Sequence, residues 1–423
     1  MSDAVEKQGE PAAGPLTGVR VVDLTSTLMG PYCTLQLSQM GAEIIKVESP
    51  SGDPSRYLDD KRGNGMGPIF LGANRGKRSI TLDLKRPGAR DVLDRILGQA
   101  DVLVHSLRPD GARRLRVDPE TIHAEHPSLV YCALQGYGSV GPYRNRAAYD
   151  DVIQSSSGLT AVQGLPGPPQ YIRTPISDKT VGLVGVGAIC AALFRRERSG
   201  AGQVLEVPML ESMVAYTLLD QQGGYVYDPP AGPTGYSRTA SLFRKPYQTA
   251  DGFISVMVYT DAQWASFFDL IGRPELAESS AYRTITERTN NIDKLYQLVE
   301  ESLPARTTAE WLHEFDEAGI AGSRVYTLAE LFEDEHLQAV GMFPRSDHPT
   351  EGTLRLPRAP LTVNGSVPGN SRPAPRLGEH SDEVLREAGY LRAEIDSLRR
   401  AGIVGAGCPR AAAPLVSQEA GGD

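Results

Sequence analysis

Short apolar runs alternate with helix-patterned stretches through the first third of this chain. That alternation restricts the fold more than any other feature. Val19 to Leu24, Glu43 to Val47, Ser79 to Leu84, Val102 to His105 and Leu129 to Leu134 read as short strands. Pro31 to Met40 and Ala89 to Gly98 carry helix signals. Strands alternating with helices argue for a parallel sheet covered by helices on both faces. Ligands of such sheets bind at the carboxyl ends of the strands.

The middle of the chain reads differently. Residues 215–248 are rich in Gly, Pro and Tyr (GGYVYDPPAGPTGYSR) and predict an extended linker. A strand over Gly252 to Tyr259 and helices near 261–272, 288–303 and 307–319 predict a smaller domain over 249–330. The last of these helices starts at Thr307 or Thr308, with Glu310 in its first turn. A helix at 327–340 leads through a Pro-rich return to a charged helical segment at 378–402. The larger domain therefore takes 15–214 and 331–402. The ends, 1–14 and about 403–423, have the composition of disordered tails.

Composition narrows the function. Net charge is −9 and no sustained basic run exists, which argues against a nucleic-acid partner. Cysteines at 33, 132, 190 and 408 form no Cys-x-x-Cys pair, which points to a reducing compartment, the cytoplasm. The seven histidines show no ligand spacing, so no metal is expected. No secretory signal pattern opens the chain. The uncharged run Val181 to Phe194 is short for a membrane span of about 20 residues. No membrane partner is expected.

Chemistry points first to Asp178, just ahead of that run. A carboxylate in the first turn of a helix faces free N–H groups and the positive end of the dipole, a setting for an ionised nucleophile. The plainer reading is a helix cap, the commonest use of Asp at such a position. Thr25 to Pro31 reads as a strand-to-helix turn with Pro at the first helical position. It lacks G-x-G-x-x-G, which argues against nicotinamide and flavin cofactors. Gly136, Gly138 and Gly141 form a loop running into Tyr149, Asp150 and Asp151. Those acids invite an acid/base role or merely charge a helix start. Gly182, Gly185 and Gly187 either make room for a ligand or let a helix pack closely.

Taken together, PLTGVRVVDL with the GP at 30–31, MGAEIIKVESPSGDPSR, NRGKRSITLDLK, ADVLVHSLRPDG, GYGSVGPYRNRAAYD, the segment from Ser177 to Ser212 and GEHSDEVL closely resemble the family III CoA-transferases. The resemblance covers about residues 15–402. It implies a doubly wound, Rossmann-like α/β domain formed by both chain ends, an inserted small α/β domain, and an interlocked homodimer.

The resemblance also implies roles. Asp178 attacks the thioester of an acyl-CoA donor, and aspartyl anhydride and aspartyl-CoA intermediates pass CoA to a carboxylic acid acceptor. Leu82, Lys85, Leu107, Arg108 and Arg114 match positions that hold the nucleotide end of coenzyme A, and Tyr149 and Asp150 are expected among the coenzyme A contacts. Leu28 and Met29 match the loop beside the thioester. A small dicarboxylate such as succinate suits the acceptor, with Arg238, Arg244 and Tyr247 as candidate carboxylate holders. The alternative is an α-methylacyl-CoA racemase. That branch carries a His-Asp pair where this chain has Tyr149 and Asp150, so one of two required bases is missing.

Overall fold

The computed structural model describes residues 14–368 and 372–405. Of the expected tails, residues 1–13 and 406–423 lie outside them. The chain divides into two compact units. The first takes residues up to 157, 172–214 and 341 onward; the second takes 158–171 and 215–340.

The first unit is built on six strands: β1 (Arg20–Leu24), β2 (Glu43–Glu48), β3 (Lys77–Thr81), β4 (Val102–His105), β5 (Val130–Gln135) and β6 (Val204–Pro208). All pair in parallel, in the order β3-β2-β1-β4-β5-β6. The chain winds outward from β1 to β3, then returns to β4 and winds the other way. That reversal leaves a crevice beyond the carboxyl ends of β1 and β4. Helices α1 (Met29–Gln39), α2 (Pro68–Asn74), α3 (Ala89–Leu97), α4 (Pro109–Arg114), α5 (Pro119–Glu125) and α6 (Asp150–Ser156) fill the crossovers and the loop after β5. Val22, Ile45, Ile80, Leu93, Leu103 and Tyr131 share the core on one side of the sheet.

Strand β3 begins two residues before the expected Ser79. Its first residues, Lys77 and Arg78, carry charge yet are buried, because each has a carboxylate partner. Lys77 Nζ lies 3.2 Å from Asp23, and Arg78 pairs with Glu43, Glu383 and Glu387. The sixth strand was not expected. It is the sheet edge, half exposed, with Glu206 and Pro208 in a short run. Ile403 and Val404, placed in the expected tail, are instead buried. Val404 bridges Leu82, and Asp83 N donates to Ile403 O over 2.9 Å.

Two helices follow, the short α7 (Leu159–Gly164) in the second unit and the 24-residue α8 (Ile176–Ser199) in the first. Helix α8 extends well past the apolar run 181–194 and is long and apolar enough to cross a membrane by length and composition. Its Val181, Gly182, Gly185, Ile189 and Ala192 are buried. Gly182 meets α1, and Gly185 meets α1 and β5. A Cβ on Gly182 would stand 2.9 Å from Met29 O, and one on Gly185 2.9 Å from Leu134 Cδ2.

The expected linker is shorter at its start, because α9 (Met209–Gln221) continues to Gln221. In the second unit β7 (Tyr247–Gln248), β8 (Phe253–Met257) and β9 (Ala321–Arg324) form an antiparallel sheet. Helices 261–270, 292–302 and 308–317 supply Trp264, Phe267, Leu295, Trp311 and Phe315 to the core beside it. Thr307 caps the last of these with Glu310 in a capping box. The helix expected at 327–340 is broken in two, since Asp334 is extended and caps a new helix at Glu335. The charged segment 378–402 is likewise two helices, parted at Gly389 with φ 86°.

Candidate active site

Four strand ends converge on a cleft of about 350 Å³ in the first unit. Leu24, Thr25 and Ser26 come from the end of β1, and Val47 to Asp53 from the end of β2. Leu82 to Lys85 follow β3, and Leu107 follows β4. Apolar side chains dominate one wall, while Lys85 is exposed at the rim. The cleft therefore unites Leu82, Lys85 and Leu107. Arg108 and Arg114 cap and close α4 and are both exposed, outside the cleft lining. Arg108 Nη1 donates to Asn145 O over 3.2 Å.

A second cluster forms where α6 and α8 begin. Asp150 is the first residue of α6 and is buried; Tyr149 before it is exposed. Asp178 is the third residue of α8. The cap position there is Pro175, whose side chain makes no capping bond. Asp150 serves instead: the N–H of Asp178 donates to Asp150 Oδ1 over 3.0 Å. The other oxygen, Oδ2, accepts from Gln154 Nε2 over 2.7 Å. Asp178 is thus not the cap of its helix, and its carboxylate accepts no hydrogen bond among the described residues.

The ionisation expected of Asp178 needs correction. Burial, then the neighbouring Asp150 charge, push its carboxyl up to about 7, with Lys179 opposing. Helix N–H groups favour the anion, but the desolvation is larger. The group is poised between acid and anion near neutrality rather than held fully ionised.

The turn before α1 links the two clusters. Thr25 and Ser26 line the cleft, Leu28 caps α1, and Met29, buried, lies against α8 at Gly182. Asp178 stands one turn before Gly182, on the same helix face. Gly182 and Gly185 thus serve close packing, while a Cβ on Gly187 would meet nothing within 4 Å.

The second unit holds the three candidate carboxylate holders. Tyr247 is buried in its aromatic core, which removes it from that role. Arg238 is mostly buried with its guanidinium 5.0 Å from the Tyr259 ring, and Arg244 is exposed. Sequence spacing gives no hint of one further group, Asp94, Glu125 and His126, whose ligand atoms all lie within 4.8 Å. Arg90 pairs with both carboxylates there, so a cation is already present.

Residues 16–381 match the family described as CoA-transferase family III. The chain belongs to that family of acyl-CoA:carboxylate CoA-transferases. It is 30% identical to succinyl-CoA:glutarate CoA-transferase of Mus musculus over 92% of this chain and 90% of that one. Succinate–glutarate CoA-transferase of Agrobacterium fabrum is 31% identical, over 88% and 95%. The crystal structure of a CaiB/BaiF family protein from Brucella suis has a TM-score of 0.74 at 30% identity, over 89% of this chain and all of that one.

Proposed function

We propose that this enzyme moves CoA from succinyl-CoA to a small dicarboxylate, glutarate or a near relative, with Asp178 as nucleophile. The observation that carries the site assignment is the Asp178 carboxylate itself. It is free of protein partners, half-buried, and held at a helix start by the backbone bond to Asp150. The dicarboxylate follows from the relatives named above, which act on succinate and glutarate.

The chemistry balances without a redox partner. An Asp178 oxygen attacks the thioester carbon, the C–S bond breaks, and CoA leaves as thiolate. The thiolate attacks the aspartyl carbonyl of the mixed anhydride, releasing succinate and leaving an aspartyl-CoA thioester. The acceptor carboxylate displaces CoA in turn, and the returning thiolate takes the acceptor acyl group and frees Asp178. Each step keeps an activated acyl group, so water must stay out.

Leu82, Lys85 and Leu107 would seat the nucleotide end of coenzyme A in the cleft, with Arg108 and Arg114 offering charge to its phosphates. Arg238 and Arg244 are candidates for the acceptor carboxylate. Asp150 has both oxygens engaged and Tyr149 stands where that branch carries its His, so the racemase reading lacks its acid/base pair. We further propose an interlocked homodimer working in the cytoplasm. The exposed apolar face of α8, with Leu183, Val184 and Phe194, suits cover by a second subunit. Cys33, Cys132 and Cys190 are free thiols, in keeping with a reducing compartment.

The test is intact-protein mass spectrometry after incubation with succinyl-CoA, with hydroxylamine trapping. An adduct on Asp178 is expected, and Asp178→Ala should abolish transfer while CoA still binds. Turnover retained by that variant would sink the mechanism. No adduct, with α-proton exchange of a branched acyl-CoA in deuterated water, would favour the racemase.

A further inference from the structure

The turn from β1 into α1 holds a conformation that its residues do not favour. Thr27 has φ 70°, in the left-handed region where a β-branched side chain crowds the backbone. Glycine is the residue that tolerates such an angle, and glycine stands nearby at position 30 for another reason. A Cβ on Gly30 would stand 2.2 Å from Thr25 Cβ, so the turn is folded tightly against the helix start.

What holds Thr27 there is a buried carboxylate from the loop after β2. The Thr27 N–H points at both oxygens of Asp53, at 3.1 and 3.2 Å. Asp53 Oδ2 lies 2.9 Å from Lys46 Nζ, and both side chains are essentially inaccessible to solvent. Lys46 Nζ also donates to Thr25 O over 3.0 Å. One ion pair therefore grips the turn at two points, Thr25 O and Thr27 N.

The grip is itself anchored. Ser55 donates to Asp53 through its N–H and its hydroxyl, and the Asp53 N–H donates to Glu48 Oε2 over 3.0 Å. Glu48 in turn binds Arg56 over 2.7 Å. A buried ion pair is rarely more stabilising than well-packed apolar side chains in its place. Its distinctive use is to fix geometry, and strained backbone persists only where its surroundings over-determine it.

We propose that Lys46 and Asp53 are positioning residues for acyl transfer. Their buried pair clamps the strained turn Thr25–Leu28, so that the cleft wall and the start of α1 beside Asp178's helix keep one geometry. The inference rests on the transferase reading and adds a device to it. Neither residue touches the reacting atoms; both act through Thr25 and Thr27.

The test joins amide hydrogen exchange with steady-state kinetics on succinyl-CoA and glutarate. In the wild type, the exposed Thr27 should show a slowly exchanging N–H. Asp53→Ala should lose that protection and lower kcat about 10- to 100-fold, as misplacement near 1 Å does, while the KM for succinyl-CoA moves far less. Adding Thr27→Gly to that variant should recover much of kcat, because glycine holds the turn without the clamp. Lys46→Gln supplies the same measurements should the Asp53 variant not fold. Rapid Thr27 exchange in the wild type would overturn the clamp. So would a wild-type kcat after protection is lost, or a kcat loss that Thr27→Gly leaves untouched. Wild-type protein that forms no Asp178 adduct overturns the transferase reading instead, and exchange alone then judges the clamp.

Discussion

Asp178 meets two opposed influences in the first turn of its helix. The N–H groups favour the anion, while burial and Asp150 favour the acid and place its titration at about 7. Attack on a thioester needs the anion. Adduct formation at low succinyl-CoA should therefore rise about tenfold per pH unit below 7 and level off above it. Asp150→Asn keeps an acceptor for the Asp178 N–H but removes the like charge, so the midpoint should move down; a profile from about pH 5 to 9 reads it. Stability follows the same shift with its sign worked out. A carboxyl raised from 3.8 to about 7 binds its proton more tightly when folded, so its stabilisation is full below the lower value and lost as pH rises through the upper. Asp178→Asn should thus melt above wild type at pH 8, by on the order of 1–3 kcal/mol, with the gap closing near pH 4. Equal melting at both pH values would contradict that. The position of Asp178 was plain from its place before an apolar run. That its cap duty falls to Asp150, 28 residues earlier, was not, because two helix starts must meet in space first.

Among the elements, the contact between α8 and α1 sets the site. Gly182 lets the two helices approach until Met29 O fills the space a side chain would take. Gly182→Ala should force them apart, costing about 1–3 kcal/mol by overpacking. Transfer should fall with it, whereas CoA affinity should change little if, as proposed, Leu82 and Leu107 set it in the cleft. Calorimetry and CoA titration on one variant separate the two effects. Sheet strands with apolar runs were legible, and so were the capped helices of the second unit. Strand β3 was misplaced by two residues because pattern reading treats Lys77 and Arg78 as surface. Only their partners, Asp23 for one and Glu43, Glu383 and Glu387 for the other, make their burial tolerable. The edge strand β6 and the break at Asp334 were missed for the converse reason: both are exposed, and exposed segments carry little periodicity.

At the scale of the molecule, the apolar outer face of α8 argues for assembly. Light scattering should give twice the 45.6 kDa of one chain, and Val184→Glu should drive the mass toward one copy if that face is covered. A wild-type monomer would remove the dimer from the proposal. The first unit also draws on distant parts of the chain. Gly378 N donates to Ser79 Oγ, His380 N to Ser79 O, and Val404 bridges Leu82 beside the cleft. A nascent chain emerging residue by residue has β1 to β6 early, yet the wall of the cleft stays unfinished until Val404 clears the ribosome. The cleft consequently comes into being late and almost all at once, when Val404 reaches Leu82.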